Sequence, residues 1–201
     1  MWEIMSLIPA FEIGLWNAWI FMLYQILTFP IFFRLAKKNT RGMKEPKLDL
    51  SKTKKIFLIF SKLILAPAAI YSIFLPLKLG TIWFHVGLPI TLVGLVTYTI
   101  VLVNWAKTPP GKPVARGLYR YSRHPMYITS FLFFLGLGVA TASWLFLLFA
   151  IVFIIGAVVF IDFEEKSTLK QFGDAYRKYM NRTPRWIGIP KSGPPDKFES
   201  S

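Results

Sequence analysis

The feature that most constrains this chain is a stretch of 36 residues, Met126 to Ile161, that contains no charged side chain. As a single helix it would be roughly 54 Å long, whereas the hydrocarbon core of a bilayer is about 30 Å thick. The stretch is therefore expected to fold back on itself as a hairpin of two short helices. Its weakest helix formers are Gly136, Gly138 and residues 141–143, which predicts a tight turn there.

Three further apolar stretches, at residues 15–33, 56–79 and 82–103, each have the length of a membrane-spanning helix. Lys62 and Lys78 lie near the ends of the second stretch, where a lysine can reach the interface. The N-terminus has neither a basic flank nor a small-residue cleavage site, so the first stretch is expected to remain as a helix. With 54% hydrophobic residues, the chain is predicted to be an all-α integral membrane protein with five transmembrane helices.

The net charge of +14 follows from the position of the basic residues relative to these spans. Residues 34–62 carry ten Lys or Arg, residues 107–123 carry five and the tail after Asp162 carries eight, which is 23 of the 24 in the chain. All 23 lie on one side of a five-span topology. The positive-inside rule then predicts an outer N-terminus and a cytoplasmic C-terminus, and it favours contact with anionic headgroups over nucleic-acid binding.

Cysteine and histidine counts limit the possible metal chemistry. The chain has no Cys and only two His, His85 and His124, which lie far apart in the sequence. Disulfides and thiolate metal sites are excluded, and no metal site is expected.

Polar and ionisable groups concentrate at the two ends of the apolar hairpin, in residues 117–127 and 162–165. From a turn at Ala142, His124 and Glu164 lie at depths of about 27 and 33 Å along their helices, so they are expected to meet at the cytoplasmic interface. Pro125 suits the first position of a helix, whose free N–H groups, with Arg120, Arg123 and His124 beside them, favour an anion. Glu164 and Glu165 offer acceptors for hydroxyl or ammonium groups. A ligand with both kinds of group, such as an amino-acid-bearing nucleotide, is predicted.

The order of these segments is more specific than any of them alone. The string P-V-x-x-G-L-Y-R-Y-x-R-H-P-M-Y is followed by the hairpin, by E-E-x-x-x-L-x-x-F-G-x-x-Y-x-x-Y and by R-x-P-R. Over about residues 104–190 this pattern resembles the isoprenylcysteine carboxyl methyltransferase family and the related phospholipid N-methyltransferases. Members of that family are integral membrane enzymes that bind S-adenosylmethionine without a Rossmann fold, and this chain has no G-x-G-x-x-G motif after a strand.

The resemblance implies that one set of residues contacts S-adenosylmethionine: Tyr119, His124, Pro125, Met126, Tyr127 and Glu164, with the loop Gly111, Lys112, Pro113 and Val114, and Asn104. Glu165, as a base for an amine acceptor, and Arg182 are the candidate catalytic residues. Four residues before the cofactor glutamate, where the prenylcysteine enzymes place a substrate arginine, this chain has Phe160. The methyl acceptor is expected to be lipid-like or prenylated, with O-, N- and S-methylation all open.

The chain is expected to form a single membrane domain. Residues 15–103 would hold three helices with a basic loop at 34–55, and residues 104–190 would hold the cofactor region with the hairpin at 125–161. An amphipathic cytoplasmic helix is predicted from Leu169, Phe172, Tyr176, Tyr179 and Met180, with a bend at Gly173. Pro184 would turn the chain back over the site, and residues 191–201 are expected to be disordered.

Two other functions are compatible with this architecture. Sterol-reductase-like membrane enzymes share a comparable C-terminal layout and use NADPH. A non-catalytic lipid-binding or scaffold protein would bind neither cofactor, but it would leave the meeting of His124, Tyr127, Glu164 and Glu165 without a purpose.

Overall fold

The computed structural model describes residues 5–7, 11–39, 59, 61–109 and 111–191. Within these ranges the chain is helical, and the only β-type pairings described are two isolated bridges, Ser6 with Ser143 and Asn17 with Pro76. The helices are α1 (Trp19–Asn39), α2 (Ala66–Ile73, preceded by a π-helical turn at Ser61–Leu65), α3 (Ile82–Ala106), α4 (Pro125–Ala140), α5 (Trp144–Phe172) and α6 (Asp174–Arg182), with a 3₁₀ turn at Gly117–Arg120.

Two of these helices, α3 and α5, are long and apolar enough to cross a membrane. Shorter apolar helices lie at Trp19–Phe32, Leu63–Ile73 and Pro125–Ala140. The described part of the chain is thus all-helical, with two helices that could span a membrane. Most of the basic loop expected at 34–55 and the tail after Lys191 lie outside the described residues.

The apolar hairpin turns where its weakest helix formers lie. Helix α4 ends at Ala140, and α5 begins at Trp144 with Ser143 as its N-cap, whose Oγ accepts from the Phe146 N–H at 3.2 Å. In the turn, the Ser143 N–H donates to the Gly138 carbonyl at 3.0 Å, and Ala142 adopts a positive φ of 51°.

Three helix boundaries differ from the sequence expectations. The second arm of the hairpin is not short, because α5 continues past Ile161 to Phe172. The whole helix has 29 residues. Residues 162–172 contain no Pro or Gly to stop it, and Gly173, at a φ of 55°, ends it. Leu169 and Phe172 therefore belong to α5, and only the shorter α6 follows. In the second apolar stretch, α2 stops at Ile73 instead of Leu79, since Pro76 cannot donate a helical hydrogen bond. Helix α1 begins at Trp19, four residues after Leu15.

Helices α3 and α4 approach so closely that glycine is required between them. A Cβ on Gly87 would lie 2.1 Å from the Ala140 backbone nitrogen, and one on Gly94 would lie 2.6 Å from that of Phe133. On the opposite helix, a Cβ on Gly136 would lie 2.4 Å from the Thr91 nitrogen. Small residues that allow backbones to touch are the usual means of packing helices inside a membrane.

Helix α1 is joined to this pair by two polar contacts. Tyr24 Oη lies 2.8 Å from Thr99 Oγ1 of α3, and Gln25 Nε2 donates to Ser130 Oγ of α4 at 3.1 Å. The core between the helices is aromatic, with Phe133, Phe134 and Phe146 fully buried. The start of α4 and the charged part of α5 lie at the end of the hairpin away from its turn.

Candidate functional site

Three segments meet at the open end of the hairpin. They are the loop that leads into α4, the charged turn of α5 at residues 162–165, and residues 183–188 after α6, here called the C-terminal strap. Their side chains form a polar cluster, which consists of Arg123, His124, Tyr127, Glu164, Glu165 and Arg185.

Glu165 is the more enclosed of the two glutamates, at 8% exposure. Its Oε1 lies 2.9 Å from His124 Nε2 and 3.4 Å from Arg123 Nε, and its Oε2 accepts from Arg185 at 3.1 Å. Arg185 also pairs with Asp162, one helical turn before Glu165. The cost of burying the Glu165 carboxylate is thus offset by three basic groups.

Glu164 faces the other side of His124. Its Oε2 accepts from the Tyr127 hydroxyl at 3.0 Å and lies 3.7 Å from His124 Nδ1. The Glu164 side chain is 42% exposed, so a ligand can reach this carboxylate. The Tyr127 ring packs against Phe153 and Phe160, at centroid distances of 6.3 and 6.5 Å.

The expected meeting of His124 with the acidic pair is confirmed by these distances, and several groups expected to bind an anion at the start of α4 contact groups of the chain itself. His124 is only 5% exposed, and both of its ring nitrogens face carboxylates of the chain itself. The Tyr127 N–H, expected to be free, donates to the His124 carbonyl at 3.2 Å. Of the groups predicted to hold an anion, His124, Arg123 and the Tyr127 N–H are thus directed at internal partners.

The C-terminal strap runs beside the loop before α4. The Arg123 N–H donates to the Pro184 carbonyl and the Gly188 N–H donates to the Tyr121 carbonyl, both at 3.0 Å. Ser122 Oγ accepts from the His124 N–H at 3.0 Å and donates to the Arg185 carbonyl at 3.4 Å. The reversal expected from Pro184 therefore places Arg185 in the cluster.

Helix α6 also contacts the loop before α4. The Tyr179 hydroxyl donates to the Tyr119 carbonyl at 2.8 Å, and both tyrosines are buried. Burial raises the pKa of Tyr119 and of Tyr179 well above the usual value, so the Tyr179 hydroxyl stays protonated as this bond requires. Tyr119, a predicted cofactor residue, is fixed through its backbone.

Asn104 lies at the end of α3 against the 3₁₀ turn. Its Nδ2 is buried and has no hydrogen-bond partner among the described residues, and a Cβ on Gly117 would lie only 2.1 Å from that atom. Gly117, at a φ of 59°, makes room for the amide. A buried amide donor without a partner costs free energy of about 1–3 kcal/mol, which a bound acceptor group would recover.

The remaining predicted residues lie around the cluster. Pro125 is buried and Met126 half-buried in the first turn of α4, and Arg182 is half-buried at the end of α6. The loop from α3 to the 3₁₀ turn is exposed or half-buried and contains Gly111, Lys112, Pro113 and Val114. Within the described part of the chain, no group of three or more His, Asp or Glu is arranged to hold a metal ion.

The turn at Pro184 predicts that Arg185 folds back over the site, but the sequence did not indicate its partners. Arg185 forms ion pairs with both Asp162 and Glu165. The available signal was Pro184, which turns the chain back toward the end of α5.

Two comparisons with known proteins match this region. Residues 79–175 match the family model described as phospholipid methyltransferase. A stretch of 91 residues, 45% of this chain, is 40% identical to methanethiol S-methyltransferase 1 of Bradyrhizobium diazoefficiens, and it covers 31% of that protein's length. The chain thus corresponds to about a third of this relative.

Proposed function

We propose that this chain is a membrane enzyme of the phospholipid methyltransferase family, whose model residues 79–175 match, and that it transfers a methyl group from S-adenosylmethionine to a lipid-like acceptor. The observation that carries the proposal is the half-exposed Glu164 carboxylate, which the Tyr127 hydroxyl and His124 hold at the end of an apolar helix hairpin. The family match suggests the reaction, and the polar cluster supports the location of the cofactor site.

The residues present fit S-adenosylmethionine by the chemistry of their donors and acceptors. Glu164 offers carboxyl oxygens as acceptors for ribose hydroxyls or for the ammonium. The Asn104 Nδ2, which has no partner among the described residues, offers a donor. An aromatic face such as that of Tyr127 attracts a sulfonium by roughly 0.5–2 kcal/mol. The proposed contact set keeps Tyr119, the segment from His124 to Tyr127, and the loop from Gly111 to Val114.

When bound, S-adenosylmethionine supplies an electrophilic methyl group on a sulfonium. The task left to the chain is to hold the acceptor in line with that group and to exclude water. The contacts of Glu165 argue against its acting as a base, because two arginines and a histidine already engage its two oxygens and the residue is buried. Arg182 stays as the proposed residue for contact with the acceptor.

A lipid-like acceptor is supported by a groove between α1 and α3. Its volume is about 480 Å³, and its lining is mainly aliphatic: Tyr24, Leu92, Leu95, Val96, Thr99, Ile100 and Val103. The groove extends to the residue before Asn104. The named relative acts on methanethiol, so a thiol acceptor is a candidate beside a phospholipid amine. Phe160, packed against Tyr127, supplies no cation for a prenylcysteine carboxylate.

For the membrane arrangement we propose one domain with five spans, an outer N-terminus and a cytoplasmic C-terminus. The cofactor region, residues 104–190, would then lie at the inner face, where a water-soluble cofactor and an inner-leaflet lipid can meet. Its amphipathic element would be α6, whose Tyr176 and Tyr179 are buried while Asp174, Arg177 and Lys178 are exposed.

The first test is calorimetric binding of S-adenosylmethionine and of NADPH to the purified protein in detergent. Glu164→Gln should weaken S-adenosylmethionine binding about tenfold or more, since it removes a charged acceptor while keeping the side-chain shape. Asp174→Asn is the matched control, because it removes one exposed carboxylate from α6. Phosphatidylethanolamine vesicles and methanethiol are then supplied in turn with labelled cofactor, and the methylated product is identified by mass spectrometry.

Three other results would contradict the proposal. Binding of NADPH alone would indicate a reductase. Binding of neither cofactor would indicate a lipid-binding scaffold. Equal affinity in the wild type and in Glu164→Gln would remove Glu164 from the site.

A further inference from the structure

Glu165 is surrounded by three basic side chains of the chain itself. The structure places His124 Nε2, Arg123 Nε and an Arg185 nitrogen within 2.9–3.4 Å of its two oxygens. Guanidinium groups only donate hydrogen bonds, so both oxygens of Glu165 face donors and act as acceptors. Its 2.9 Å contact with His124 therefore requires a proton on Nε2.

The second ring nitrogen of His124 then has a defined direction. With Nε2 directed at Glu165, Nδ1 faces Glu164 Oε2 at 3.7 Å, which is too long for a hydrogen bond. The ring attracts this carboxylate only while Nδ1 also carries a proton, because an unprotonated ring nitrogen is an acceptor. The same Glu164 oxygen accepts from the Tyr127 hydroxyl. The imidazole thus lies between a buried carboxylate and a half-exposed one.

We propose that Glu165 is a positioning residue, which fixes the ring of His124 with its proton on Nε2 and through that ring holds the Glu164 carboxylate in place for the cofactor. The first half of this proposal rests on contacts within the chain alone. The second half rests on the proposed function, in which Glu164 contacts S-adenosylmethionine.

The C-terminal strap also contributes to the position of His124. Arg185 bridges Glu165 and Asp162, and its carbonyl accepts from Ser122, whose Oγ in turn accepts from the His124 N–H. The strap therefore fixes both the partner of His124 and the backbone of His124. Its position is thereby transmitted to Glu164 through the ring of His124.

The experiment uses the fact that the chain has only two histidines. His85 is exposed near the start of α3, so His85→Gln leaves His124 as the single imidazole signal. Protein labelled with ¹⁵N-histidine is compared by NMR with Glu165→Asp, which keeps the charge but withdraws the carboxylate by one methylene. Glu12→Asp makes the same change at an exposed residue far from the cluster and is the matched control. Affinity for S-adenosylmethionine is measured on each protein.

The expected spectrum shows a protonated Nε2 in the parent protein and in Glu12→Asp. In Glu165→Asp the Nε2 signal should shift toward the averaged position of a ring without a fixed partner, and cofactor affinity should fall about tenfold. If Glu165→Asp does not fold, Arg185→Lys provides the second variant, because it keeps the charge but cannot bridge both carboxylates. It should move the same signal in the same direction.

Several results would overturn the proposal. A proton on Nδ1 with an unprotonated Nε2 in the parent protein would show that Glu165 does not orient the ring. An unchanged spectrum in the variant would show the same. A changed spectrum with unchanged cofactor affinity would break the link to Glu164. If the parent protein bound no S-adenosylmethionine, the proposed function and the link to the cofactor would fail, while the spectra would still decide whether Glu165 orients His124.

Discussion

At the scale of residues, two adjacent glutamates on one helix have opposite environments. Successive residues of an α-helix point about 100° apart, so Glu164 and Glu165 face different neighbours although both approach His124. Glu165 turns inward to three basic groups, whereas Glu164 stays half-exposed with the Tyr127 hydroxyl. The first environment suits a structural ion pair, and the second suits a ligand contact.

Tyr127→Phe tests the contribution of the hydroxyl separately from that of the ring, because it removes the hydroxyl and keeps the ring. The ring packing on Phe153 and Phe160 is kept, so stability in detergent should change by no more than about 1 kcal/mol. Loss of a hydrogen bond to a charged group should weaken S-adenosylmethionine binding roughly tenfold, measured by calorimetry. Tyr121→Phe is the matched control, because Tyr121 is 53% exposed on the neighbouring loop. Equal effects of the two changes would contradict a role for the Tyr127 hydroxyl.

The meeting of these residues could be predicted from the sequence, but their pairing could not. Counting residues from the hairpin turn gives the depth of His124 and Glu164, because the rise per residue of a helix is fixed. Which glutamate is buried depends on Arg185, which lies 20 residues after Glu165 and reaches it only through the path of α6 and the strap. Such a path depends on tertiary contacts that periodicity does not contain.

At the scale of elements, the contact between α3 and α4 is held by close packing of backbones. Without a hydrophobic driving force between helices in lipid, association depends on van der Waals contact and polar bonds. Gly87 and Gly94, seven residues apart on one face of α3, meet Ala140 and Phe133 of α4. The loop that carries His124 begins α4, so this packing also sets where the cluster lies.

Gly94→Leu should therefore destabilise the protein. Even the first added carbon would lie 2.6 Å from the Phe133 nitrogen, so the helices must separate, at a cost of about 3 kcal/mol or more. The expected result is a lower midpoint of thermal unfolding in detergent, with loss of cofactor binding. Val93→Leu is the control, since Val93 is the preceding residue of α3 and is 53% exposed. A Gly94→Leu protein as stable as this control would disprove the close approach.

The hairpin turn was predictable, whereas the ends of several helices were not. Glycine and β-turn formers at 136–143 mark the turn because they lower helix propensity where the apolar stretch is too long for one span. The continuation of α5 to Phe172 runs through polar residues, where hydrophobicity no longer indicates a boundary. In that range only Gly173 marks the stop.

At the scale of the whole molecule, the distribution of basic residues and the order of the apolar spans are consistent with the same membrane topology. Of the 24 basic residues, 23 lie in segments that a five-span topology places on one face, and the remaining one, Lys78, lies between α2 and α3. The polar cluster lies at the ends of α4 and α5 that belong to the basic face. An orientation with that face inward would bring the cluster to the cytoplasm, where nucleotide-like cofactors are made.

This orientation can be measured across a single helix, because the chain has no Cys of its own to give background labelling. Leu79, 50% exposed, precedes α3, and the exposed Lys107 follows it. At roughly 37 Å, a helix of this length separates the two positions by a bilayer. A membrane-impermeant maleimide should label Leu79→Cys in intact cells, and it should label Lys107→Cys only after the cells are opened. Arg177→Cys on α6 should behave like Lys107→Cys. Labelling of both ends of α3 from one side would show that the helix does not span, and the reverse pattern would place the polar cluster outside the cell.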